Sequence, residues 1–289
     1  MVPIESEDFN ISKIAASGQC FRLTTDAPDE FTLIARDRML RIFSRENGAA
    51  LDCSREEFSA VWRDYFDLDT DYRRFRRAVA PEDVYLAEAV RRGRGIRILR
   101  QEPWEMLVTF LISQRKNIPA IRRSVELLCR ACGEPLGEGR FAFPAPERVA
   151  ELSAEELSAC SLGYRAGYIH QAACLTAGGG LDLKRLAQMD DGAVLDALLQ
   201  VPGVGPKVAN CVLLFGFHRL AGFPRDVWIN RVVEEQYRGS FPLERYEGFA
   251  GVIQQYLFFH ARCLCDERHA AAPESVPALS QNGGSGRVS

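Results

Sequence analysis

The stretch LLQVPGVGPKVANC at residues 198–211 decides how the rest of the chain is interpreted. Apolar helical patterns flank its centre, VPGVG at 201–205, and together they predict two helices joined by a tight hairpin. Glycines permit the positive φ that such a turn needs and let another backbone approach closely. Lys207 stands at the start of the second helix, facing the positive end of the helix dipole. A lysine whose only task is solubility is poorly placed there.

The hairpin predicts an anion-binding site. Free N–H groups at Val204, Gly205 and Lys207 are expected to project from the start of the second helix, where they suit a DNA phosphate. A plain corner in a helical bundle is the alternative, because glycines such as Gly203 are enough for that too. No cofactor is expected to be required, although a hairpin of this type can hold a monovalent cation on its turn carbonyls.

Lys207 has a chemical interpretation and an electrostatic one. An amine attacks carbon only when it is neutral, and a helix N-terminus beside an apolar wall disfavours the ammonium form. Such a lysine could attack C1′ of a deoxynucleotide, expel the base and form a Schiff base. The alternative is that Lys207 only contacts phosphate.

Asp226 is the candidate partner of that lysine. It is the only acidic residue between Asp196 and Glu234, and it precedes a helical pattern that starts near Val227. Capping that helix is one complete explanation. Antiparallel packing could also return Asp226 to the Lys207 end of the preceding helix. A carboxylate there could stabilise an oxocarbenium-like sugar and orient proton transfers.

Composition indicates a soluble globular protein with two domains. The chain has 289 residues, of which 47% are hydrophobic and 26% charged, with a net charge of −3. No apolar run reaches the roughly 20 residues that cross a bilayer, and the acidic N-terminus lacks signal-peptide features. A cytoplasmic location is expected, with nucleoid association in a bacterium. The nine cysteines are odd in number and are expected to be reduced, and no zinc or iron–sulfur site is predicted.

A basic stretch interrupts this acidic balance. Residues 91–123 contain nine arginines and lysines against two acids, Glu102 and Glu105. A solvated face without a partner explains it equally well. The stretch favours nucleic acid only if chemistry elsewhere points to phosphate.

The first 90 residues or so predict a mixed fold. Short runs with partial alternation at 19–24 and 30–45 indicate antiparallel strands, and the segments TDAPDE (25–30) and ENGAA (46–50) resemble turns. From Ser54 the pattern becomes helical, with Glu57 at capping-box spacing.

Nearly all of the chain from Pro103 to about His269 predicts helices with short breaks, and Ser153 with Glu156 repeats the capping-box pattern. The predicted fold class is therefore α+β. An N-terminal α+β domain (1–98) with an antiparallel sheet precedes an all-helical domain (99–269), whose helix–hairpin–helix lies at about 191–218. Residues 270–289 are small, polar and rich in proline and glycine, which indicates a disordered tail.

The hairpin, the lysine and an aspartate about twenty residues later together resemble the helix–hairpin–helix DNA glycosylase superfamily. Within it, the sequence is most similar to the 8-oxoguanine DNA glycosylase/AP lyases, up to about residue 265. The resemblance implies a TBP-like N-terminal sheet domain, action on double-stranded DNA containing oxidised guanine, and no membrane partner. A monomer is the default for such an enzyme.

The resemblance also implies roles for single residues. SGQCFR at 17–22 matches the motif in which a glycine carbonyl, here Gly18, accepts the N7–H that only the oxidised guanine carries. GVGPKVANC at 203–211 supplies Lys207 as nucleophile and Cys211 against one face of the base. GVIQQYLF at 251–258 offers Gln254 for the Watson–Crick edge and Phe258 for the opposite face.

Further matched segments imply DNA contacts. LGYRAGYI at 162–169 carries the Tyr164–Arg165 pair, which in the family wedges beside the widowed base. LVTFLISQRKNIPAIRRSVELLC at 107–129 matches the helix–loop segment that enters the duplex. The candidate DNA-contacting residues are therefore Arg115, Lys116, Asn117, Arg122, Tyr164, Arg165, Gly203, Val204, Gly205 and Trp228.

The sequence departs from the family pattern in two segments. The motif after LIS usually shows asparagines where this chain has Arg115, Lys116 and Asn117, so discrimination of the base opposite the lesion is expected to be relaxed. Trp228 stands where some members place a histidine, so contacts to the 5′ phosphate are expected to differ. The chain also lacks the four-cysteine pattern of the endonuclease III and adenine-mismatch branches.

The sequence therefore predicts a bifunctional base-excision-repair enzyme, in which Lys207 attacks C1′ with help from Asp226 and the Schiff base permits β-elimination. One alternative is a monofunctional alkylated-base (3-methyladenine type) glycosylase, which would activate water and need no lysine. Another is a non-catalytic helix–hairpin–helix protein, whose DNA binding would fall with salt.

Overall fold

The N-terminal part of the chain forms a five-stranded antiparallel sheet in a computed structural model that describes residues 1–271. The strands lie in the order β1-β5-β4-β3-β2 and are β1 (Val2–Glu5), β2 (Leu23–Ala27), β3 (Glu30–Ala35), β4 (Arg38–Arg45) and β5 (Gly48–Leu51). The antiparallel strands expected at 30–45 are confirmed as β3 and β4. The strand expected at 19–24 is wrong for residues 19–22, which form a loop, and only Leu23 and Thr24 of that run belong to β2. The α+β class is confirmed as well, since helices dominate the remainder.

Apolar alternation places one face of the sheet in a core. Leu33 pairs with Leu40, and Phe31 pairs with Ile42, across β3 and β4. All four side chains are buried. Residues two apart on a strand share a face, and helix α1 (Ile11–Ala16) packs against strands β2 and β4 of the sheet.

The two predicted turns are shorter than expected. TDAPDE turns only at Pro28 and Asp29, and the turn over ENGAA is wrong for its last three residues, because Gly48 already opens β5. A Cβ at Gly48 would lie 1.9 Å from the carbonyl oxygen of Ile4. Glycine therefore lets β1 and β5 approach at a point where any side chain would block them.

Helices account for most of the rest. A π-helical turn (Phe58–Trp62) joins the second and third, and a 3-10 turn (Leu243–Tyr246) precedes the last. The helices are α2 (Arg55–Glu57), α3 (Arg63–Tyr65), α4 (Tyr72–Arg77), α5 (Val84–Gly93), α6 (Pro103–Ser113), α7 (Ile118–Cys132), α8 (Pro146–Ala150), α9 (Ala154–Ala159), α10 (Arg165–Ala177), α11 (Leu183–Leu186), α12 (Asp191–Leu199), α13 (Pro206–Phe215), α14 (Val227–Tyr237) and α15 (Ala250–Ala271).

Both predicted helix starts are confirmed. Ser54 Oγ accepts a hydrogen bond from the backbone N–H of Glu57 at 3.1 Å, and Ser153 with Glu156 forms a complete capping box. The expectation of nearly continuous helix after Pro103 is wrong at one place, where a short hairpin joins β6 (Pro135–Gly137) to β7 (Arg140–Phe141). Glycines with positive φ shape that turn.

The last helix carries the chain to the end of the described region. Residues 270 and 271, predicted to begin a disordered tail, belong to α15. The rest of that predicted tail lies outside the described residues. The buried side chains of α4 and α5 join the helical core with those of α6, α13 and α15, whereas the sheet has a core of its own.

Gln19 holds the loop after α1 against the helical part of the molecule. Its side chain is fully buried. Its Nε2 donates to the Arg97 carbonyl at 2.9 Å, and its Oε1 accepts from the Leu99 N–H at 2.9 Å. Gln101 Nε2 returns a bond of 2.9 Å to the Gln19 carbonyl. The neighbouring Gly18 is thereby fixed beside the helices.

Candidate active site

A cavity of about 770 Å³ opens where the Gly18 loop meets the helical part. Its walls come from the end of α6, the α6–α7 loop, α13, the start of α14 and α15. Its volume lies within the range of small-molecule sites. The predicted site residues that line it are Gly18, Arg115, Lys116, Asn117, Lys207, Cys211, Asp226, Trp228, Gln254 and Phe258.

Lys207 occupies the first turn of α13, directly after Pro206. Its Nζ donates to Ser113 Oγ at 3.3 Å and lies 5.1 Å from the centre of the Phe110 ring. Ser113 Oγ donates its own hydrogen to the Phe110 carbonyl at 2.7 Å. The ring face of Phe110 attracts the ammonium form, whereas the helix N-terminus opposes it. The sequence analysis did not single out Ser113.

Asp226 caps α14 and faces the same cavity. Its carboxylate accepts the Ile229 N–H at 2.9 Å, which confirms the predicted cap. Burial raises the pKa of Asp226 above its usual value, while the Ile229 N–H and the charge of Lys207 pull in the opposite direction. Asn210 ties the start of α13 to the loop that precedes α14, because it donates to the Pro206 carbonyl at 2.9 Å and accepts from the Phe223 N–H at 3.3 Å.

Cys211 and Phe258 form two apolar walls. Burial raises the pKa of the Cys211 thiol to about 11 despite the nearby charge of Lys207, so the thiol is neutral at ordinary pH. Gly18 has φ +74, and a Cβ there would lie 3.0 Å from Phe258 Cε1. Only glycine leaves this loop its conformation and its distance from the ring.

Two neighbouring glutamines close the inner end. Gln254 Nε2 donates to the Pro224 carbonyl at 3.1 Å, and Gln255 Nε2 donates to Gln254 Oε1 at 3.2 Å. Both side chains are buried and line the cavity. The sequence analysis missed Gln255, although its position directly beside Gln254 could have drawn attention to it.

In the loop from α6 to α7, some side chains form hydrogen bonds within the chain and others are exposed. Lys116 Nζ bonds Ser124 Oγ and the Ser161 carbonyl at 2.5 Å each, and burial lowers its pKa. Asn117 caps α7 through the Ala120 N–H at 3.0 Å. Arg115 is exposed, with φ +52. Of the three, Arg115 makes no side-chain hydrogen bond or ion pair within residues 1–271, whereas the exposed Asn117 uses its Oδ1 for the cap.

The remaining candidates lie outside the cavity lining. Arg122 donates to the carbonyls of Ala15 and Leu23. Tyr164 is 57% exposed. Arg165 is buried, donates to the Gln114 carbonyl and lies 4.3 Å from the centre of the Tyr164 ring. In this structure the tyrosine is therefore presented to solvent and the arginine supports it.

The hairpin differs from the prediction at one atom. The Val204 N–H is not free, because it donates to the Val201 carbonyl at 3.0 Å and so closes the turn. Gly203 has φ +82, as the turn requires, and its carbonyl accepts from Gln114 Nε2 at 3.1 Å. A carbonyl has two lone pairs, so the predicted cation site on these oxygens stays a prediction.

Much of the basic stretch forms ion pairs and hydrogen bonds with other residues of the same chain. Arg91 pairs with Glu88, Arg92 with Glu267 and Arg94 with Glu7. Arg97 donates to backbone carbonyls, including that of Phe66. Fewer side chains of the basic stretch are therefore available to bind phosphate than the sequence alone indicates. Within residues 1–271, no cluster of three or more histidine, cysteine, aspartate or glutamate side chains is placed to hold a metal ion.

Comparison with known proteins decides the family. Residues 1–107 match the model of the 8-oxoguanine DNA glycosylase N-terminal domain, and residues 108–240 match that of the HhH-GPD superfamily of base excision DNA repair proteins. A probable N-glycosylase/DNA lyase of Methanothermobacter thermautotrophicus is 33% identical over 68% of this chain and 72% of its own length. The chain belongs to the 8-oxoguanine DNA glycosylase/AP lyase family.

Other relatives agree. An N-glycosylase/DNA lyase of Saccharomyces cerevisiae is 33% identical over 61% of this chain, although the match spans only half of the yeast protein. The structure of MBOgg1 in complex with a low-affinity DNA ligand superposes with a TM-score of 0.85 at 35% identity, covering 90% of this chain and 94% of the other. A Clostridium acetobutylicum 8-oxoguanine glycosylase/lyase bound to double-stranded DNA gives 0.85 at 29% identity, covering 92% and 99%.

Membership of the glycosylase/lyase family makes the chain an enzyme, so the non-catalytic alternative is wrong. A 3-methyladenine DNA glycosylase of Archaeoglobus fulgidus has a TM-score of 0.71 at 18% identity, which shows a shared fold and no more. Among the described residues, no helix combines the length and apolar character that crossing a bilayer requires.

Proposed function

We propose that this enzyme excises 8-oxoguanine from duplex DNA through a Schiff base on Lys207 and then cleaves the strand by β-elimination. The observation that carries the proposal is the convergence of an amine, a carboxylate and a ligand-sized cavity. Lys207 and Asp226 line that cavity together with two apolar walls. The names of the relatives, N-glycosylase/DNA lyase and 8-oxoguanine glycosylase/lyase, support the same substrate and reaction.

Recognition begins with extrusion of the base. A base inside a duplex is out of reach, so the enzyme must flip it out and recover the unstacking energy in the pocket. The Gly18 carbonyl accepts the N7–H, Cys211 and Phe258 cover the two faces, and Gln254 bonds the Watson–Crick edge. The exposed ring of Tyr164 fills the gap left in the stack.

The chemical steps use two side chains. The lone pair of neutral Lys207 forms a bond to C1′ while the C1′–N9 bond breaks, and the departing base keeps that electron pair and takes up a proton. The Asp226 carboxylate stabilises the positive charge that develops on the sugar and accepts a proton from the attacking amine. Ring opening gives the Schiff base, after which loss of a C2′ proton expels the 3′ phosphate.

The proposal needs no cofactor, and a monovalent cation on the hairpin carbonyls would only assist phosphate binding. The enzyme acts as a monomer on double-stranded DNA. It works wherever that DNA lies, which is the nucleoid in the cytoplasm of a bacterium.

Borohydride trapping tests the proposal. The enzyme is mixed with duplex DNA containing one 8-oxoguanine, and the reductant converts any Schiff base into a stable adduct. We expect an adduct with the native enzyme and none with Lys207→Gln. Base release without an adduct would instead indicate a water-activating enzyme of the 3-methyladenine type, and release of 3-methyladenine but not 8-oxoguanine would overturn the substrate.

A further inference from the structure

Arg262 lines the cavity without a task in the reaction described above. It lies one helical turn beyond Phe258 on α15, and its guanidinium carbon is 5.6 Å from the centre of the Phe258 ring. Its Nη1 donates to the Ala16 carbonyl at 3.0 Å. The same Nη1 is 3.9 Å from the position that a Cβ on Gly18 would take. Arg262 is therefore a neighbour of both Gly18 and Phe258.

The guanidinium has more donors than partners. Arginine carries five N–H groups, and the bond to Ala16 is the one that Arg262 makes among residues 1–271. No carboxylate of the described chain pairs with it. A half-buried cation held by one carbonyl and one ring face is well placed to take an acceptor from a ligand, because charge-assisted hydrogen bonds are the strong ones.

Three other donors that line the cavity already have one partner each within the chain. The amides of Gln254 and Gln255 already bond the Pro224 carbonyl and each other. Lys207 is bound to Ser113 and is the proposed nucleophile. Arg262 is the donor whose nitrogen lies nearest to Gly18, so it is the one placed for an acceptor beside the Gly18 carbonyl.

We propose that Arg262 donates a hydrogen bond to the C8 carbonyl oxygen of the extruded 8-oxoguanine and thereby contributes to lesion selectivity. Oxidation changes two adjacent ring positions of guanine, giving N7 a hydrogen and C8 a carbonyl oxygen. An acceptor at Gly18 and a donor at Arg262, side by side in the cavity wall, match that pair. Ordinary guanine presents a bare N7 and a C8–H there, and satisfies neither.

This inference rests on the proposed function, so its test must distinguish a failure of the Arg262 contact from a failure of the Lys207 mechanism. Nicking of DNA that already contains an abasic site needs Lys207 but no base contact. We expect Arg262→Ala to slow single-turnover excision of 8-oxoguanine about 10- to 100-fold, the range for a lost bond to a charged donor, and to leave abasic-site nicking within about twofold. Arg268→Ala is the matched control, since Arg268 lies on the same helix, bonds one backbone carbonyl at 3.2 Å and is exposed.

Substrate atoms then locate the contact. Replacing O8 by sulfur weakens an acceptor, so the native enzyme should lose rate on the 8-thio analogue. Arg262→Ala should lose much less on that change, because the bond is already gone and the two changes are coupled. Replacing O6 by sulfur should cost both enzymes equally.

Three other results would overturn the assignment. Equal losses on abasic and 8-oxoguanine DNA would make Arg262 a phosphate contact or a support for the Ala16 loop. Coupling to O6 in place of O8 would assign a different atom, and an unchanged excision rate would leave Arg262 without a role in selectivity. A native enzyme that forms no borohydride adduct would refute the Schiff base on Lys207 while leaving the 8-thio cycle interpretable.

Discussion

Lys207 Nζ is held by an oxygen that can only accept from it. Ser113 Oγ lies 3.3 Å from Nζ and has already given its single hydrogen to the Phe110 carbonyl at 2.7 Å. A hydroxyl free to rotate could donate to a neutral amine and occupy its lone pair. Because Ser113 Oγ donates its hydrogen to the Phe110 carbonyl, it cannot donate to the amine. In the proposed mechanism, the lone pair of the neutral amine is therefore left for C1′.

The first prediction concerns that hydroxyl. Ser113→Ala should slow the single-turnover chemical step about 5- to 10-fold, since one ordinary hydrogen bond is lost. The loss should be equal on 8-oxoguanine and abasic DNA, and DNA affinity should not change. Ser113→Thr, which keeps a hydroxyl, is the control. A weaker affinity with an unchanged rate would show that Ser113 serves binding and does not position the amine.

The second prediction separates activity from stability at Asp226. Asparagine caps helices as well as aspartate does, and Asp226→Asn removes a carboxylate whose pKa is raised by burial. The variant should melt at the same temperature as the native enzyme or higher, yet lose at least about 100-fold in excision rate. Melting curves and single-turnover kinetics measure the two effects. A clear drop in melting temperature would refute the view that the buried Asp226 carboxylate destabilises the folded protein.

The fold could be predicted where local pattern decides structure. The sequence pattern correctly placed the start of the helical region at Pro103 and the helix starts at Ser54 and Ser153, because apolar spacing and caps are local signals. It failed at β5 and at the β6–β7 hairpin. Gly48 joins a strand only because Ile4, more than forty residues away, needs the space. Such a partner is invisible in a window of neighbours.

The site divides in the same way. Lys207 and Asp226 could be recognised from the sequence, because each stands at the predicted start of a helix. Ser113 and Arg262 could not be recognised from the sequence, because a residue at helical spacing lies as often in the core as in a cavity, whereas Gln255 was overlooked beside Gln254. What turns Arg262 towards the cavity is its bond to Ala16, in another part of the sequence. The Val204 N–H was misjudged because the turn uses it internally.

The third prediction concerns Gly18. Gly18→Ala places a Cβ 3.0 Å from Phe258 Cε1 on a backbone with φ +74, which side chains rarely adopt. The loop should shift and the slot between Gly18 and Phe258 should change, so excision of 8-oxoguanine should fall about 100-fold or more. Nicking of abasic DNA should fall far less, because no base enters. Equal losses on both substrates would contradict a role in base recognition.

The fourth prediction concerns the stability of the fold. Burial raises the pKa of Glu105 from 4.5 to about 7. Between these values the folded protein holds a proton that the unfolded chain has released, so stability falls as pH rises through this window. Glu105→Gln should therefore be more stable than the native protein by about 1 to 3 kcal/mol at pH 8, and by little at pH 4.5. Urea unfolding at both pH values measures the difference.

A matched change sharpens that measurement. Glu126 pairs with the buried Arg22 at 2.9 Å. Glu126→Gln leaves that guanidinium without its carboxylate and should lower the free energy of unfolding by about 1 to 3 kcal/mol. Opposite signs for two Glu-to-Gln changes are expected. A Glu105→Gln effect that is the same at both pH values would contradict the raised pKa.

The fifth prediction concerns the base opposite the lesion. Arg115 is exposed at the cavity with φ +52, whereas Lys116 is bound to Ser124 and Ser161. Of Arg115, Lys116 and Asn117, Arg115 is thus the side chain without a partner within residues 1–271, and we expect it to meet the opposite strand. Asparagine tolerates a positive φ and presents both a donor and an acceptor in a short side chain, so Arg115→Asn should sharpen discrimination without unfolding the loop.

We expect the excision rate of the native enzyme to differ by less than about tenfold among the four opposite bases, and that of Arg115→Asn to differ by more. Single-turnover excision opposite each base measures this, with Arg123→Asn on the exposed side of α7 as control. If the four rates keep their native ratios in Arg115→Asn, selectivity resides elsewhere, because a side chain that reads the opposite base cannot be replaced without changing what it reads.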